Sequence, residues 1–285
     1  MRFQFIKENQ NQIDVKKACK LLNVSRSGYY KYISWKPSPH TIENDLIRAE
    51  IRQIFDEHKG RYGSSRISKE LESKGILVSR KRAAKLMRMD GLYPKGSPGC
   101  YRRKSRKQRK GDPNLLNQIF EAKGRNQIWL GDITYIPTQK RTLYLAVFLD
   151  VYSRKIVGWS MDIRMKEKLV IDAFNQAYGR EHPGPGLIVH TDQGAQYTGD
   201  AFRSLIRSHK GIISNSRKGT PYDNAPMESF YRTLKRELIN DVKFKNPEEA
   251  KAEIFKYIET YYNTKRMHSA LGYLSPMDFE KMLTK

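Results

Sequence analysis

Between residues 126 and 163 the chain carries three runs rich in β-branched and aromatic residues, NQIWLGDITYI, TLYLAVFLDVYS and KIVGWSMDI, with only a few residues between one and the next. Parallel neighbours need a crossover of a dozen residues or more, so runs this close must pair as an antiparallel meander. After them the periodicity alternates. Residues 167–178 read as a helix, LIVHTDQG (187–194) as a strand, 200–209 as a helix and IISNS (212–216) as a strand, and a further helix opens near Pro226. A meander followed by αβαβα predicts a mixed α/β sheet with helices on both faces.

That is the element order of the ribonuclease-H-like fold, and three acidic residues within it stand out. Asp132 falls in the middle of the first apolar run, where a carboxylate is unfavourable without a purpose. Asp192 follows the apolar stretch Leu187–Val189, at the carboxyl end of its strand, where α/β sheets place their sites. Glu228 lies in the first turn of a helix behind Asn224 and Pro226, where the helix dipole favours negative charge. Three carboxylates converging from separate elements suit a hard cation such as Mg²⁺, held by a few carboxylates and substrate phosphate. Any one of them could instead be a surface or capping acid, as Asp150 in FLDVYSR is expected to be.

The front of the chain is different in kind. The net charge is +24, and residues 1–110 hold 28 basic against 10 acidic side chains. A basic segment of this size suits a polyanion, above all duplex nucleic acid. Residues 14–22 place apolar side chains at helical spacing behind Asp14, and a second short helix capped by Ser25 runs to about Tyr32, a helix-turn-helix pattern within 1–35. Trp35–Pro39 reads as a linker. Helices over about 42–58, 64–74 and 79–90 make a second such unit, 42–97. In its last helix Arg80, Lys81, Arg82, Lys85 and Arg88 are expected to face DNA, the alternative being an ordinary solvated basic helix. Residues 98–113 include RRKSRKQRK and read as a basic linker gripping phosphate, or a merely solubilising tether. The core is assigned to 114–240, with a helix and tail, 241–285, packed on it. No membrane is expected, because no run of 18 apolar residues occurs. The N-terminus lacks an apolar signal core, and Cys19 and Cys100 form no framework, so a cytoplasmic, nucleoid-associated protein is expected.

Spacing then becomes specific. Thirty-five residues separate Asp192 from Glu228, and Lys235 lies seven beyond the glutamate. This resembles the D, D(35)E signature of retroviral-type integrases and bacterial insertion-sequence transposases. LDVYSRKIVGW (149–159), HTDQGAQY (190–197), SRKGTPYDNAPMESFYRTLKREL (216–238) and YYNTKRMHSALGYLSP (261–276) are similar to the transposase encoded by the second reading frame of insertion sequence family three. The likeness runs from near residue 43 to the C-terminus, and no His-His-Cys-Cys zinc module is visible. The resemblance implies a DNA transposase with an integrase core. Two Mg²⁺ ions, replaceable by Mn²⁺, would be bridged by Asp132 and shared between Asp192 and Glu228. Water would be the nucleophile for cutting element ends, and the freed 3′-hydroxyl the nucleophile for strand transfer. The expected partners are double-stranded DNA, further copies of the chain on that DNA, and the upstream reading-frame product, free or fused. Lys235 and, one turn earlier, Arg232 share a helix face with Glu228 and are expected to grip the element's end, unless that face is simply solvated. His190 could orient Asp192 or be a core histidine. His268 could pack on the core or touch DNA. Gly219 and Pro221 suggest a mobile lid before the catalytic helix. Rival readings are a nuclease of the same fold that never joins ends, and a helix-turn-helix regulator with an inert core.

Overall fold

Short polar caps open most helices at the front of the chain in the computed structural model, which describes residues 1–96, 112–217 and 219–283. The first helix, α1 (Arg2–Glu8), is not announced by the sequence pattern; it buries Ile6 against Ala18, Cys19 and Tyr29. Asp14 accepts from the Lys17 N–H at 2.9 Å and opens α2 (Val15–Leu21), and Ser25 accepts from the Gly28 N–H at 3.0 Å and opens α3 (Arg26–Ile33). The next helix, α4 (Pro39–Glu57), starts earlier than expected. Ser38 caps it through the Thr41 N–H, and Pro39 is its first residue rather than the end of a linker, since proline's missing donor costs nothing there. Helices α5 (Ser64–Ser73) and α6 (Arg80–Met89) complete the unit, with Ile51, Ile54, Ile67, Leu71 and Ala83 fully buried. Asp90, just past α6, takes hydrogen bonds from Arg48 on α4, which holds its carboxyl below the usual range. The chain divides into two compact units, Met1–Tyr93 and Pro94–Lys285. Residues 98–111, most of the expected basic linker, lie outside the described residues.

The second unit is built on a five-stranded sheet of strands β1 (Ile128–Ile136), β2 (Leu143–Asp150), β3 (Ile156–Asp162), β4 (Ile188–Thr191) and β5 (Ile212–Asn215), in the order β3-β2-β1-β4-β5. The three close runs pair antiparallel, as their short connections require, while β4 and β5 run parallel to β1. Their crossovers are α7 (Glu167–Glu181) and α8 (Asp200–Ser208), which cover one face with Trp129, Phe148, Val157, Val170, Phe174 and Phe202. The other face, bearing Leu130, Leu145 and Val147, receives α9 (Ala225–Leu234). Strand β4 ends at Thr191, short of the expected 194, because Asp192 and Gly194 turn the chain.

After α9 a π-helical turn, Lys235–Ile239, leads towards α10 (Pro247–Phe255), a second π-helical stretch (Lys256–Tyr262) and α11 (Pro276–Leu283). The Asn263 side chain accepts from the Ile156 N–H at 2.9 Å and donates to its carbonyl at 3.0 Å, standing in for a neighbouring strand at the start of β3. Glu237 and Arg266 form a buried pair, 1% and 5% exposed at their side chains, and the Tyr257 hydroxyl donates to the same carboxylate at 2.8 Å. Among the described residues no helix is long and apolar enough to cross a membrane.

Candidate active site

Strands β1 and β4 pair in register through Gly131 and Thr191, and Asp132 and Asp192 are the next residue on each. The two carboxylates therefore leave neighbouring parallel strands at one level. Gly131 is the residue that allows this closeness: a Cβ there would meet a Phe148 ring carbon at 2.6 Å and the Thr191 methyl at 3.0 Å. Asp132 is 5% exposed, and its Oδ1 accepts from the Ile133 N–H at 2.8 Å. Asp192 is half-buried and its Oδ1 accepts from the Gly194 N–H at 2.9 Å, while the Asn215 amide donates to its carbonyl at 3.2 Å.

Glu228 stands in the first turn of α9, the helix that packs on β1. Three residues on, Tyr231 donates its hydroxyl to the Asp132 carbonyl, and ahead of the helix the Asn224 amide donates to the Gly131 carbonyl at 3.4 Å. The helix that carries Glu228 is thus bonded to the backbone that carries Asp132. Side chains three and four apart share a helix face, so Glu228, Tyr231 and Lys235 form one row. The Lys235 ammonium ends that row 5.0 Å from the centre of the Tyr135 ring on β1. Arg232, on the same helix, is exposed. Among the described residues, no group of three or more His, Cys, Asp or Glu side chains that could hold a metal ion stands together.

The segment read as a lid is anchored. Asp223, wholly buried, accepts from the Arg217 N–H at 2.7 Å, its guanidinium at 2.9 and 3.0 Å, Gln118 at 2.9 Å and Asn114 at 2.8 Å. The Arg217 guanidinium, foremost, holds the Asp223 carboxyl well below the usual range. His190 is buried with its ring nitrogens 2.8 Å from the Ser214 Oγ and 3.0 Å from the Ser216 Oγ. Both nitrogens are therefore used in tying β4 to β5, and the ring does not orient Asp192. Burial pushes its pKa down to about 4. Asp150 accepts from Ser153 and Asn126 and shapes the β2–β3 turn. His268 packs edge-on to Tyr262, 4.9 Å away, as part of the C-terminal core.

In the front unit Arg80, Lys81, Lys85 and Arg88 are exposed along α6. Arg82 is not available in the same way: it bonds Glu43 at 2.9 Å and Asn44 at 3.0 Å, fastening α6 to α4. Sequence alone assigns no role to Tyr197 or Tyr231 and marks Asn224 only as preceding the helix of Glu228. Only Tyr231 left a usable signal, its spacing of three from Glu228.

A mixed sheet in this order, with one acid inside its central strand, a second just past the neighbouring parallel strand and a third on the helix bonded to the first strand, defines an integrase core of the ribonuclease-H-like fold. Residues 122–221 and 211–276 match integrase core domain families, and residues 41–98 match an HTH-like domain. The transposase for insertion sequence element IS904 of Lactococcus lactis is 60% identical over 247 residues, covering 86% of this chain and 98% of the relative. The transposase InsF for insertion sequence IS3A of Escherichia coli is 38% identical over 98% of both chains. The chain belongs to the family of IS3-type insertion-sequence transposases. Among solved structures, the HTLV-2 integrase catalytic core in complex with magnesium has a TM-score of 0.42 at 19% identity, covering 54% of this chain and 96% of that one. A simian T-cell lymphotropic virus intasome in complex with PP2A regulatory subunit B56 gamma gives 0.45 at 14% identity, covering 76% and 70%.

Proposed function

We propose that this chain binds the ends of its insertion sequence, cleaves phosphodiester bonds there and joins the 3′-hydroxyl strand to new DNA, with Asp132, Asp192 and Glu228 as the catalytic residues. The observation that carries the proposal is the register of Gly131 with Thr191, which brings Asp132 and Asp192 to one level of neighbouring chain segments, together with the bond from Tyr231 that ties the helix of Glu228 to the Asp132 backbone. The donor set fits Mg²⁺ or Mn²⁺: it is all carboxylate oxygen, and hard cations select such ligands. Among the described residues, Asn224 Oδ1, just ahead of the helix that carries Glu228, is buried without a hydrogen-bond partner, which suits a site that receives a polar group. Asp132, Asp192 and Glu228 would hold the ions. Bound there, such ions supply polarisation of the attacking and leaving oxygens of an in-line displacement.

The chain's own side chains then have distinct tasks. The Asp132–Asp192 pair fixes where the scissile phosphate lies, because the first stands within β1 and the second directly follows β4. Tyr231 keeps Glu228 at a constant distance from them. Lys235, past the end of that row, offers a point charge for a phosphate beside the cut. Arg80, Lys81, Lys85 and Arg88 give the front unit a basic helix for duplex DNA, assigned to a domain spanning 42–97, and further copies of the chain would assemble on the same DNA. The upstream reading-frame product is the other partner this reading admits.

The test uses the full-length chain and duplex DNA carrying the element's end, with Mg²⁺ or Mn²⁺. Nicking followed by strand joining is expected. Asp132→Asn, Asp192→Asn and Glu228→Gln should each abolish both steps and keep DNA binding. Persistent cleavage in any variant would remove that residue from the site. Cleavage without joining would favour a plain nuclease, and binding without either a regulator.

A further inference from the structure

Past Gly131, strand β1 has no partner strand on its β4 side among the described residues, because the two pair only from Ile128–Ile188 to Gly131–Thr191. The chain from α9 onward runs beside this open edge, and three contacts fix its course. The Tyr231 hydroxyl meets the Asp132 carbonyl, the Lys235 ammonium lies over the Tyr135 ring, and the Gln139 N–H donates to the Phe244 carbonyl at 2.9 Å. Each contact lies further along both segments than the one before. The two segments therefore travel together from Asp132 to the tip of the β1–β2 hairpin. Along the strand alone, Asp132 to Ile136 spans about 13 Å at 3.3 Å per residue.

The far end of this strip is basic. Lys140 and Arg141 are exposed at the hairpin tip, which is closed by the Arg141 N–H donating to the Thr138 hydroxyl at 3.1 Å. Lys243 and Lys245 are exposed on either side of Phe244, whose own side chain is buried and pins the loop. Among the described residues none of these four cations makes an ion pair. Of the acids beside them in the chain, Asp241 pairs with Lys95 at 3.4 Å and Glu249 accepts from the Lys245 N–H at 2.7 Å, which leaves Glu248. Four like charges held on two adjoining loops repel one another and add nothing to folding. A polyanion lying along the strip removes that cost.

Taking Asp132, Asp192 and Glu228 as the catalytic site, we infer that Lys140, Arg141, Lys243 and Lys245 form a second phosphate clamp, holding a DNA duplex some distance from the bond that is cut. The strand and the hairpin tip beyond it reach about 13–20 Å, which is roughly 4 to 6 base pairs at 3.4 Å each. Lys235 stands between the acids and the clamp. Phosphate contacts carry no sequence information, so the duplex held is either the element's end or the DNA that receives it.

The experiment measures the affinity of the full-length chain for end-bearing duplex DNA across a salt series, with melting temperatures taken alongside. It compares wild type, Asp132→Asn and one variant combining Lys140→Ala, Arg141→Ala, Lys243→Ala and Lys245→Ala. The slope of log affinity against log salt should fall by about 3 to 4 in the combined variant, at about 0.9 per phosphate lost, and stay unchanged in Asp132→Asn. Neutral methylphosphonates placed 4 to 6 nucleotides from the cut should weaken binding by wild type and not by the combined variant. Placing them in the element's end or in the receiving duplex tells which of the two is held. A wild-type slope in the combined variant would overturn the clamp and leave the catalytic acids standing. A lowered melting temperature in that variant would make the four cations structural and overturn it equally. Cleavage retained by Asp132→Asn would remove the catalytic reading, and the distance from clamp to cut with it.

Discussion

His190 offers a direct way to weigh one buried group against pH. Its ring lies at 0% exposure between β4 and β5, with both nitrogens bonded to serines, and burial lowers its pKa from 6.5 to about 4. One pKa unit corresponds to about 1.4 kcal/mol, so charging the ring in the folded chain costs roughly 3 kcal/mol more than in the unfolded chain. The unfolded chain takes up the proton as the pH drops below about 6.5, while the folded chain resists until about 4. The stabilisation is therefore complete above the unfolded pKa and is lost as the pH falls from 6.5 to about 4. Urea unfolding at neutral pH and at pH near the lower limit, followed by Trp129 and Trp159 fluorescence in a Trp35→Phe background, reads the core unit alone. His190→Gln removes the imidazole titration but leaves every titrating carboxylate in place. The variant starts less stable by about 1–3 kcal/mol through its lost hydrogen bonds, and its fall with pH should be shallower by roughly 3 kcal/mol. Parallel pH profiles for the two proteins would refute the argument that this ring is held neutral by burial.

Gly131→Ala should push β4 from β1, lowering stability by about 1–3 kcal/mol in urea titration and abolishing end joining even though no acid is changed. Arg266→Met removes the buried guanidinium paired with Glu237 and should cost about 3–5 kcal/mol, most of it recovered when Glu237→Leu is added, as a double-mutant cycle would record. Lys235→Ala should reduce cleavage and joining on all DNA alike, with the circular dichroism spectrum unchanged; wild-type rates would return Lys235 to the solvated face. Lys81→Ala and Lys85→Ala should each lower the slope of log affinity against log salt by about 1, whereas Arg82→Ala should destabilise the front unit without changing the slope.

Periodicity and caps made much of this fold legible. Asp14, Ser25 and Ser79 each cap the helix their position announced, and the closeness of the first three strands left only antiparallel pairing. Helix α1 was hidden because its apolar side chains pack on residues far along the chain. Placement of the acids followed from their odd settings: a carboxylate inside an apolar strand, one at a strand's end, one in a helix's first turn. The fate of His190 and Arg82 could not be read. Each is decided by a partner 24 or more residues away, Ser214 and Ser216 for the histidine and Glu43 for the arginine, and no local spacing encodes such a pair.

One continuous helical stretch runs from Glu228 through Tyr231 and Lys235 to Glu237, and its far end is locked by Arg266, nearly thirty residues further on. The reacting end and the locked end belong to a single rod. A reading frame cut short after residue 240 would still spell out Asp132, Asp192 and Glu228 in full, yet its product would lack the Arg266 guanidinium and the Tyr257 hydroxyl that hold Glu237 at the base of that rod. Decayed copies of such an element would therefore lose their chemistry from the back of the gene, well before any mutation reached the residues that motif searches inspect.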